Sequence, residues 1–238
     1  MPSPAERMRA LVAGKPDPAR AELLPEEREA ARAERERQEA DAQRRWHDEM
    51  QEQARQNRLL RAGIPKGRVG WTWATSPPSA APYVERLQAV NARRGSALLL
   101  GSSGTGKTGL GVGAIQDAVE GGRTAAFVLL PLLLVDLNDC YRVEGISRGD
   151  LIRAYTGPES PDLLVIDDLG AELRDTEAVR GDVWLIIEMR QANDRPMIIT
   201  TNCDAAELRR RYDDRTFSRL REFEKIEVNG DDQRGRRR

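Results

Sequence analysis

The sequence predicts an α/β domain, a parallel β-sheet flanked by helices, preceded by a helical extension. A short apolar run at 97–100 leads through a glycine-rich loop into a helix that ends at Gly121. A second apolar run at 163–166 is followed directly by two aspartates. Between and after these runs, apolar segments of strand length alternate with segments of helix length. That alternation is typical of a parallel sheet that is covered by helices on both faces.

The glycine-rich loop fits the pattern G-x-x-x-x-G-K-[ST] and has the strand before it and the helix after it that this pattern requires. Glycines let the backbone wrap around a phosphate, and the helix N-terminus directs N–H groups toward it. We therefore predict that the loop binds the β- and γ-phosphates of a nucleotide, with Lys107 as a mobile charge and Thr108 as a Mg²⁺ ligand. The predicted binding residues are Gly101, Ser102, Ser103, Gly104, Thr105, Gly106, Lys107, Thr108 and Gly109.

The two aspartates follow a buried strand and so lie at its carboxyl end, where open α/β sheets bind their ligands. Asp167 is predicted to hold Mg²⁺ opposite Thr108, and Asp168 to polarise an attacking water. Many nucleotide hydrolases of this kind carry Glu at the second position. The shorter Asp168 predicts slow hydrolysis or a base supplied from elsewhere, with Glu172 as the nearest candidate.

Two polar features follow the acidic pair. Asn202 ends an apolar run at 196–202, and we interpret it as orienting the attacking water or touching the γ-phosphate rather than as a turn residue. Arg215 and Arg219 lie in an Arg-rich segment. They are either solvated surface residues or, at a subunit boundary, residues that reach the γ-phosphate of a neighbouring chain.

Composition narrows the class of protein. The chain has 238 residues, 32% of them charged, and a formal net charge of −1, so any nucleic-acid contact must come from local patches. Its two cysteines, Cys140 and Cys203, have no pairing or metal-binding spacing and are expected to be buried free thiols. No signal-peptide pattern and no apolar run of transmembrane length is present, which predicts no membrane contact and a cytoplasmic, reducing location.

Four regions are expected along the chain: a disordered N-terminus over 1–24, a long polar helix over 25–62, a linker and preceding helix over 63–96, and the α/β core over 97–238. Residues 25–62, here called the helical arm, contain no Gly or Pro after Pro25 and consist mainly of strong helix formers. Trp46 and Met50 form an apolar pair on this polar helix. Either Trp46 rests on the body of its own domain, or the arm docks on a partner protein through an aromatic anchor.

In the linker, Trp71 and Trp73 are expected to cover the edge of the core, with stacking on adenine as the alternative. The remaining elements follow from apolar periodicity and from helix start and stop signals. Helices are predicted at 83–94, 132–143, 147–155, 175–192, 205–212 and 213–223, and strands at 124–130 and 196–202, with an edge strand at 225–228.

These motifs together resemble the DnaC/IstB-like branch of the AAA+ ATPases, over about residues 60–235. The matching stretches are 62–65, the phosphate loop, 165–172, Arg190, 199–202, 215–220 and the closing segment 229–234. The resemblance implies a P-loop AAA+ fold, with Lys107 and Thr108 in the Walker A motif and Asp167 and Asp168 in the Walker B motif. It further implies that Asn202 is sensor 1, that Arg219 is the arginine finger with Arg215 as its rival, and that the family's helical lid domain is missing.

The function that the resemblance implies is an ATP- and Mg²⁺-dependent helicase loader that hydrolyses ATP slowly, with stimulation by its partner. Residues 1–60 would bind a hexameric replicative DNA helicase, and residues 71–238 would contact single-stranded DNA. The protein would assemble with itself or on the helicase. An IstB-like transposition helper acting on duplex DNA is the alternative. A small-molecule kinase is a third reading, disfavoured by Asn202 and the Arg215–Arg219 segment.

Overall fold

The computed structural model describes residues 25–140, 145–172, 176–230 and 232. The chain divides into two units, with the boundary between Ala54 and Arg55. The expected disorder of residues 1–24 lies outside the described residues. The same holds for residues 141–143 and 175 of the predicted helices and for residues 231, 233 and 234 of the closing segment.

Helix α1, Pro25–Arg61, is the predicted polar helix and ends one residue earlier than expected. Residues 25–54 of this helix make up the described part of the first unit. Exposed pairs spaced four residues apart support this part, such as Arg32 with Glu36 at 2.8 Å. Trp46 and Met50 are 62% and 51% exposed. Since the pattern buries no continuous apolar face, most of this helix relies on local propensity rather than on packing.

The second unit contains a five-stranded parallel sheet. The strands are β1 Ala97–Leu100, β2 Ala125–Leu129, β3 Leu163–Leu169, β4 Met197–Thr201 and β5 Glu224–Glu227. Their order across the sheet is β2-β3-β4-β1-β5. Strand β1 lies between β4 and β5, and the edge strand predicted at 225–228 is present one residue earlier, as β5. All four pairings are parallel, so the carboxyl ends of the strands meet at one edge.

The helices connect these strands and cover both faces of the sheet. They are α2 Ala81–Ala92, α3 Lys107–Glu120, α4 Leu130–Asp139, α5 Arg148–Thr156, α6 Glu177–Ala192, α7 Ala205–Arg211 and α8 Asp214–Leu220. Helix α4 begins two residues before the predicted start, because Pro131 sits in its first turn, where no N–H is needed. Helix α8 ends three residues before the predicted end. None of the described helices combines the length and the apolar character needed to cross a bilayer.

Alternate residues of the strands feed two separate hydrophobic clusters. Leu99, Val165 and Ile198 belong to one cluster, which the end of α1, the linker, α2 and α3 complete. Leu98 and Ile199 belong to the other, which α4, α6, α7 and α8 complete. Both faces of the strands are therefore apolar, as expected for a sheet buried on both sides. Cys140 and Cys203 are free and buried, as predicted.

A buried arginine ties the loops at the amino ends of β3 and β4 to helix α6. Arg190 has no exposed surface, and its guanidinium donates to the carbonyl oxygens of Tyr155 at 2.6 Å, Pro161 at 3.0 Å and Pro196 at 2.9 Å. Burial lowers its pKa to about 10. Arg190 therefore donates to one carbonyl oxygen in the last turn of α5 and to two in the irregular backbone before β3 and β4.

The two linker tryptophans pack on helix α3 where its residues are smallest. Trp71 lies against Gly109, and the indole of Trp73 fills the space that a side chain at Gly113 would occupy. The Trp73 indole N–H donates to the carbonyl of Leu110 at 3.2 Å. Both rings pack against the first cluster, which supports the prediction that they cover the edge of the core. The segment that carries them is irregular rather than extended.

This packing makes Gly113 costly to replace. Gly113→Ala should lower the free energy of unfolding by about 1–3 kcal/mol, because the added methyl group displaces the Trp73 indole. The matched control is Gly181→Ala in α6, where a methyl group meets nothing within 4 Å and should be neutral or stabilising by up to about 1 kcal/mol. Urea unfolding followed by circular dichroism measures both. A Gly113→Ala protein as stable as the Gly181→Ala protein would contradict the packing described here.

Candidate functional site

The loop between β1 and α3 forms a cradle of backbone groups. Gly104 and Gly106 have φ angles of +87° and +97°, a region that residues with a Cβ rarely adopt. Gly106 caps α3, so the N–H groups of the first helical turn open toward the loop. Thr105 is buried and its hydroxyl donates to the carbonyl of Ser102 at 3.0 Å, while Ser102 and Ser103 are exposed. Such a cradle suits an anion with several oxygens.

The ammonium group of Lys107 is held beside this cradle by oxygen atoms of the loop and of Asn202. Its ammonium donates to the carbonyls of Gly101 at 2.7 Å and Ser102 at 2.8 Å, and to the side-chain oxygen of Asn202 at 2.8 Å. The residue is 5% exposed. Asn202 follows β4, which is paired with β1, so adjacent strands bring the two side chains together. The structure therefore places Asn202 beside the phosphate loop.

Thr108 and Asp167 face each other across the start of α3 and the end of β3. The Thr108 hydroxyl lies 2.9 and 3.1 Å from the two carboxylate oxygens of Asp167, and Thr200 donates to the same carboxylate at 2.7 Å. Burial raises the pKa of Asp167, while hydrogen bonds from Thr200 and Thr108 and the charge of Arg68 oppose that rise. Burial thus disfavours the charged carboxylate, and these donors favour it.

The Thr108 hydroxyl and the Asp167 carboxylate suit a magnesium ion that is also bound by water and phosphate. They do not suit a metal that needs all its ligands from protein side chains. Within the described part of the chain, no three His, Cys, Asp or Glu side chains converge on one point. A hydroxyl and one carboxylate leave most positions of an octahedral ion to water and phosphate oxygens, which is how Mg²⁺ is commonly held beside a nucleotide. Thr108 and Asp167 are therefore the residues that could hold it.

A β-bulge turns Asp168 toward the same edge as Asp167. Without it, two successive strand residues would point to opposite faces. Between the pairs Ile166–Ile199 and Leu169–Thr201, two residues of β3 face the single residue Thr200 of β4. Asp168 has a φ of +62°, and its N–H donates to the Thr200 hydroxyl at 3.0 Å. The Asp168 carboxylate lies 3.4 Å from the Asn202 amide nitrogen.

Glu172, the alternative base, has different partners. Its carboxylate accepts hydrogen bonds from the backbone N–H of Gly170 at 3.0 Å and from the hydroxyl of Tyr212, and it lies 3.9 Å from Arg211. Its side chain is only 6% exposed. Burial, followed by the hydrogen bond to Glu172, raises the pKa of Tyr212. The structure thus gives Glu172 a role in joining the loop after β3 to α7, and does not bring it together with Asp168 and Asn202.

Both candidate arginine fingers lie on α8. Arg219 forms a two-point ion pair with Glu188 at 2.6 and 2.8 Å and a third contact with Glu222 at 3.3 Å. Arg215 is 75% exposed, pairs with Asp213 at 3.1 Å, and stacks on Trp184 with its guanidinium carbon 5.3 Å from the ring centre. Arg219 is therefore held by its own chain, while Arg215 lies more in solvent.

Sequence reasoning missed two residues of the site. Thr200 supports both aspartates, and its only signal was a polar residue within an apolar strand. Arg68 lies 3.4 Å from the Asp167 carboxylate and above Trp71, at 5.2 Å from the ring centre. Its signal was one of two cations in the segment Pro65-Lys66-Gly67-Arg68 before two tryptophans, too weak to connect it with a carboxylate 99 residues away.

The sheet order, the cradle after β1 and the acidic bulge in β3 define a P-loop AAA+ domain that binds ATP. The chain belongs to the family described as IstB-like ATP binding protein, whose family model matches residues 80–238. No curated protein matches the chain at a significant level. The predicted family and fold class are thereby confirmed.

Solved structures share this fold at low sequence identity. The structure titled DnaC helicase loader is 22% identical, with a TM-score of 0.59, and the match covers 69% of this chain and 100% of that one. DnaI is 19% identical, with a TM-score of 0.60 and coverage of 72% and 94%. Replication initiator DnaA bound to AMPPCP and single-stranded DNA is 18% identical, with a TM-score of 0.59 and coverage of 68% and 50%. The chain thus spans half the length of the DnaA chain.

Proposed function

We propose that this protein is an ATP-dependent helicase loader, which binds ATP with Mg²⁺ and helps to place a hexameric replicative helicase on single-stranded DNA in the cytoplasm. The observation that carries the nucleotide part is the presence of two hydrogen-bonded pairs at the phosphate loop, Lys107 with Asn202 and Thr108 with Asp167. Support for the loader part comes from the shared fold with the DnaC helicase loader over the whole of that chain.

In the proposed nucleotide complex, Lys107 exchanges its carbonyl partners for terminal phosphate oxygens, and the cradle N–H groups bind the remaining ones. Thr108 and Asp167 hold Mg²⁺, which when bound neutralises charge on the phosphates. Both are already within 3.1 Å of each other. The two residues therefore already lie close enough together to bind one ion.

Hydrolysis is assigned to the second aspartate. Asp168 accepts a proton from the attacking water, and Asn202, which reaches both Lys107 and Asp168, orients that water. Arg219 of a neighbouring subunit, with Arg215 as its rival, completes the site by contacting the γ-phosphate. The short side chain of Asp168 and the ion pairs that hold Arg219 both favour slow turnover until a partner or neighbouring subunit is bound.

The helical arm is proposed to dock on the helicase. It carries nine arginines against ten acidic residues over 25–61, so it has no excess positive charge to attract a DNA backbone. Its exposed apolar pair, Trp46 and Met50, is instead the kind of anchor that protein interfaces use. The contacts with single-stranded DNA are assigned to residues 71–238. The alternative function, a transposition helper, would instead act on duplex DNA.

The roles of the two acids can be separated by charge-removing substitutions of the same kind. Asp168→Asn should bind ATP but hydrolyse it at least about 100-fold more slowly, because the proton acceptor is lost. Glu172→Gln should lower stability through its bond with Tyr212 while the folded protein keeps its hydrolysis rate. Both are measured by phosphate release with the helicase and single-stranded DNA present. Equal loss of rate in the two variants, at matched folded fractions, would contradict the assignment.

The docking role of the arm is tested on the full-length chain. Trp46→Ala should weaken binding to the replicative helicase of the same organism by more than about 1 kcal/mol, because the aromatic anchor is removed. Arg44→Ala is the matched control, since this exposed residue lies on the opposite face of the same helix. Fluorescence anisotropy of labelled protein gives both affinities. Equal affinities for the two variants would show that the arm does not dock on the helicase through Trp46. If the protein then also bound duplex DNA, the transposition alternative would be favoured.

A further inference from the structure

The backbone at Arg68 is held in place by contacts of the neighbouring linker residues. On its N-terminal side, the carbonyl of Ala62 accepts a hydrogen bond from the N–H of Phe127 at 2.6 Å, and Ile64 is 2% exposed. On its C-terminal side, Val69 is buried and its carbonyl accepts from Gln116 of α3 at 3.0 Å. The backbone is thus attached to β2 before Arg68 and to α3 after it. A short 3₁₀ turn, Lys66–Arg68, spans the carboxyl edge of the sheet between these points.

From this turn, the Arg68 guanidinium reaches the carboxylate proposed to hold Mg²⁺. Its Nη1 lies 3.4 Å from Asp167 Oδ2, and the Asp167 side chain is 1% exposed. A buried carboxylate is costly without a compensating positive charge. In the described part of the chain, Arg68 is the cation that forms an ion pair with it. Thr108 and Thr200 contribute hydrogen bonds but no formal charge.

The contact has the character of an exchangeable one. At 3.4 Å it is longer than a tight charged hydrogen bond, which has about 2.7–2.9 Å between heavy atoms. The guanidinium also lies above the Trp71 ring at 5.2 Å, within the range of a cation–π interaction. The Arg68 side chain is 35% exposed and lines an open cavity of about 350 Å³ together with Pro65, Leu129 and Asp136. Arg68 can therefore leave Asp167 without losing every favourable contact.

We infer that Arg68 is a positioning residue that neutralises Asp167 in the nucleotide-free protein and yields that carboxylate to Mg²⁺ when nucleotide binds. The inference rests on the proposed nucleotide function and adds to the site a residue that lies outside the matched stretch 80–238. Because the guanidinium and the metal ion use the same carboxylate, they compete. Removing the charge of Arg68 should therefore strengthen the apparent binding of Mg²⁺, whereas the loss of a merely structural residue would weaken it or leave it unchanged.

The test titrates Mg²⁺ into full-length protein with a fluorescent, non-hydrolysable ATP analogue at fixed concentration. Arg68→Met should lower the Mg²⁺ concentration for half-maximal binding by about threefold, the order expected for a partly exposed ion pair. Arg68→Lys keeps the charge and should stay close to the wild type. Lys66→Met removes an exposed charge from the same turn and should not change the half-maximal concentration. Arg68→Gln gives a second neutral variant should Arg68→Met fold poorly.

The outcomes separate this inference from the proposed function. If the wild type binds the analogue in a Mg²⁺-dependent manner and both neutral variants keep or raise the half-maximal concentration, Arg68 does not compete with the ion and the inference fails alone. If Lys66→Met lowers it as much as Arg68→Met does, the effect is that of net charge and the inference also fails. If the wild type binds no analogue at any Mg²⁺ concentration, the proposed function fails together with the inference.

Discussion

The burial of one carboxylate governs the local structure around the candidate site. Asp167 has no exposed surface, although an isolated buried charge is among the least stable features that a protein can contain. The hydroxyl groups of Thr108 and Thr200 and the guanidinium of Arg68 stabilise the buried carboxylate. These three residues come from the helix after the phosphate loop, the neighbouring strand and the linker. Each of those elements must lie where it does for the buried carboxylate to keep these partners.

Packing in the hydrophobic core likewise assigns the end of α1 and the linker to the ATP-binding unit. The boundary between the two units falls at Ala54 and Arg55, inside α1, and Leu59 and Ala62 are already part of the core. A cut at residue 60, which the sequence suggested as the end of the docking segment, would remove Leu59 from that core. A cut after residue 54 would preserve it. The last turns of α1 and the linker thus serve the ATP-binding unit, and the earlier turns are available for another role.

The sequence predicts those features that depend on residues close together along the chain. The phosphate loop is contiguous, and its glycines and Lys107 could be assigned directly. The alternation of strands and helices predicted the fold, because the periodicity of each element is local too. The bulge at Asp168 could not be predicted, since it depends on the register between β3 and β4. Glu172 was proposed as a base from proximity along the chain, whereas Tyr212, which donates a hydrogen bond to it, lies 40 residues away, directly after α7.

Calorimetric titration of the wild-type protein with AMPPCP, in the presence and absence of Mg²⁺, measures whether the phosphate loop binds a nucleotide together with the ion. We expect saturable binding of about one nucleotide per chain, strengthened by Mg²⁺ through Thr108 and Asp167, and competition by ATP. Folded protein that shows no saturable binding, or binding that Mg²⁺ does not change, would contradict it.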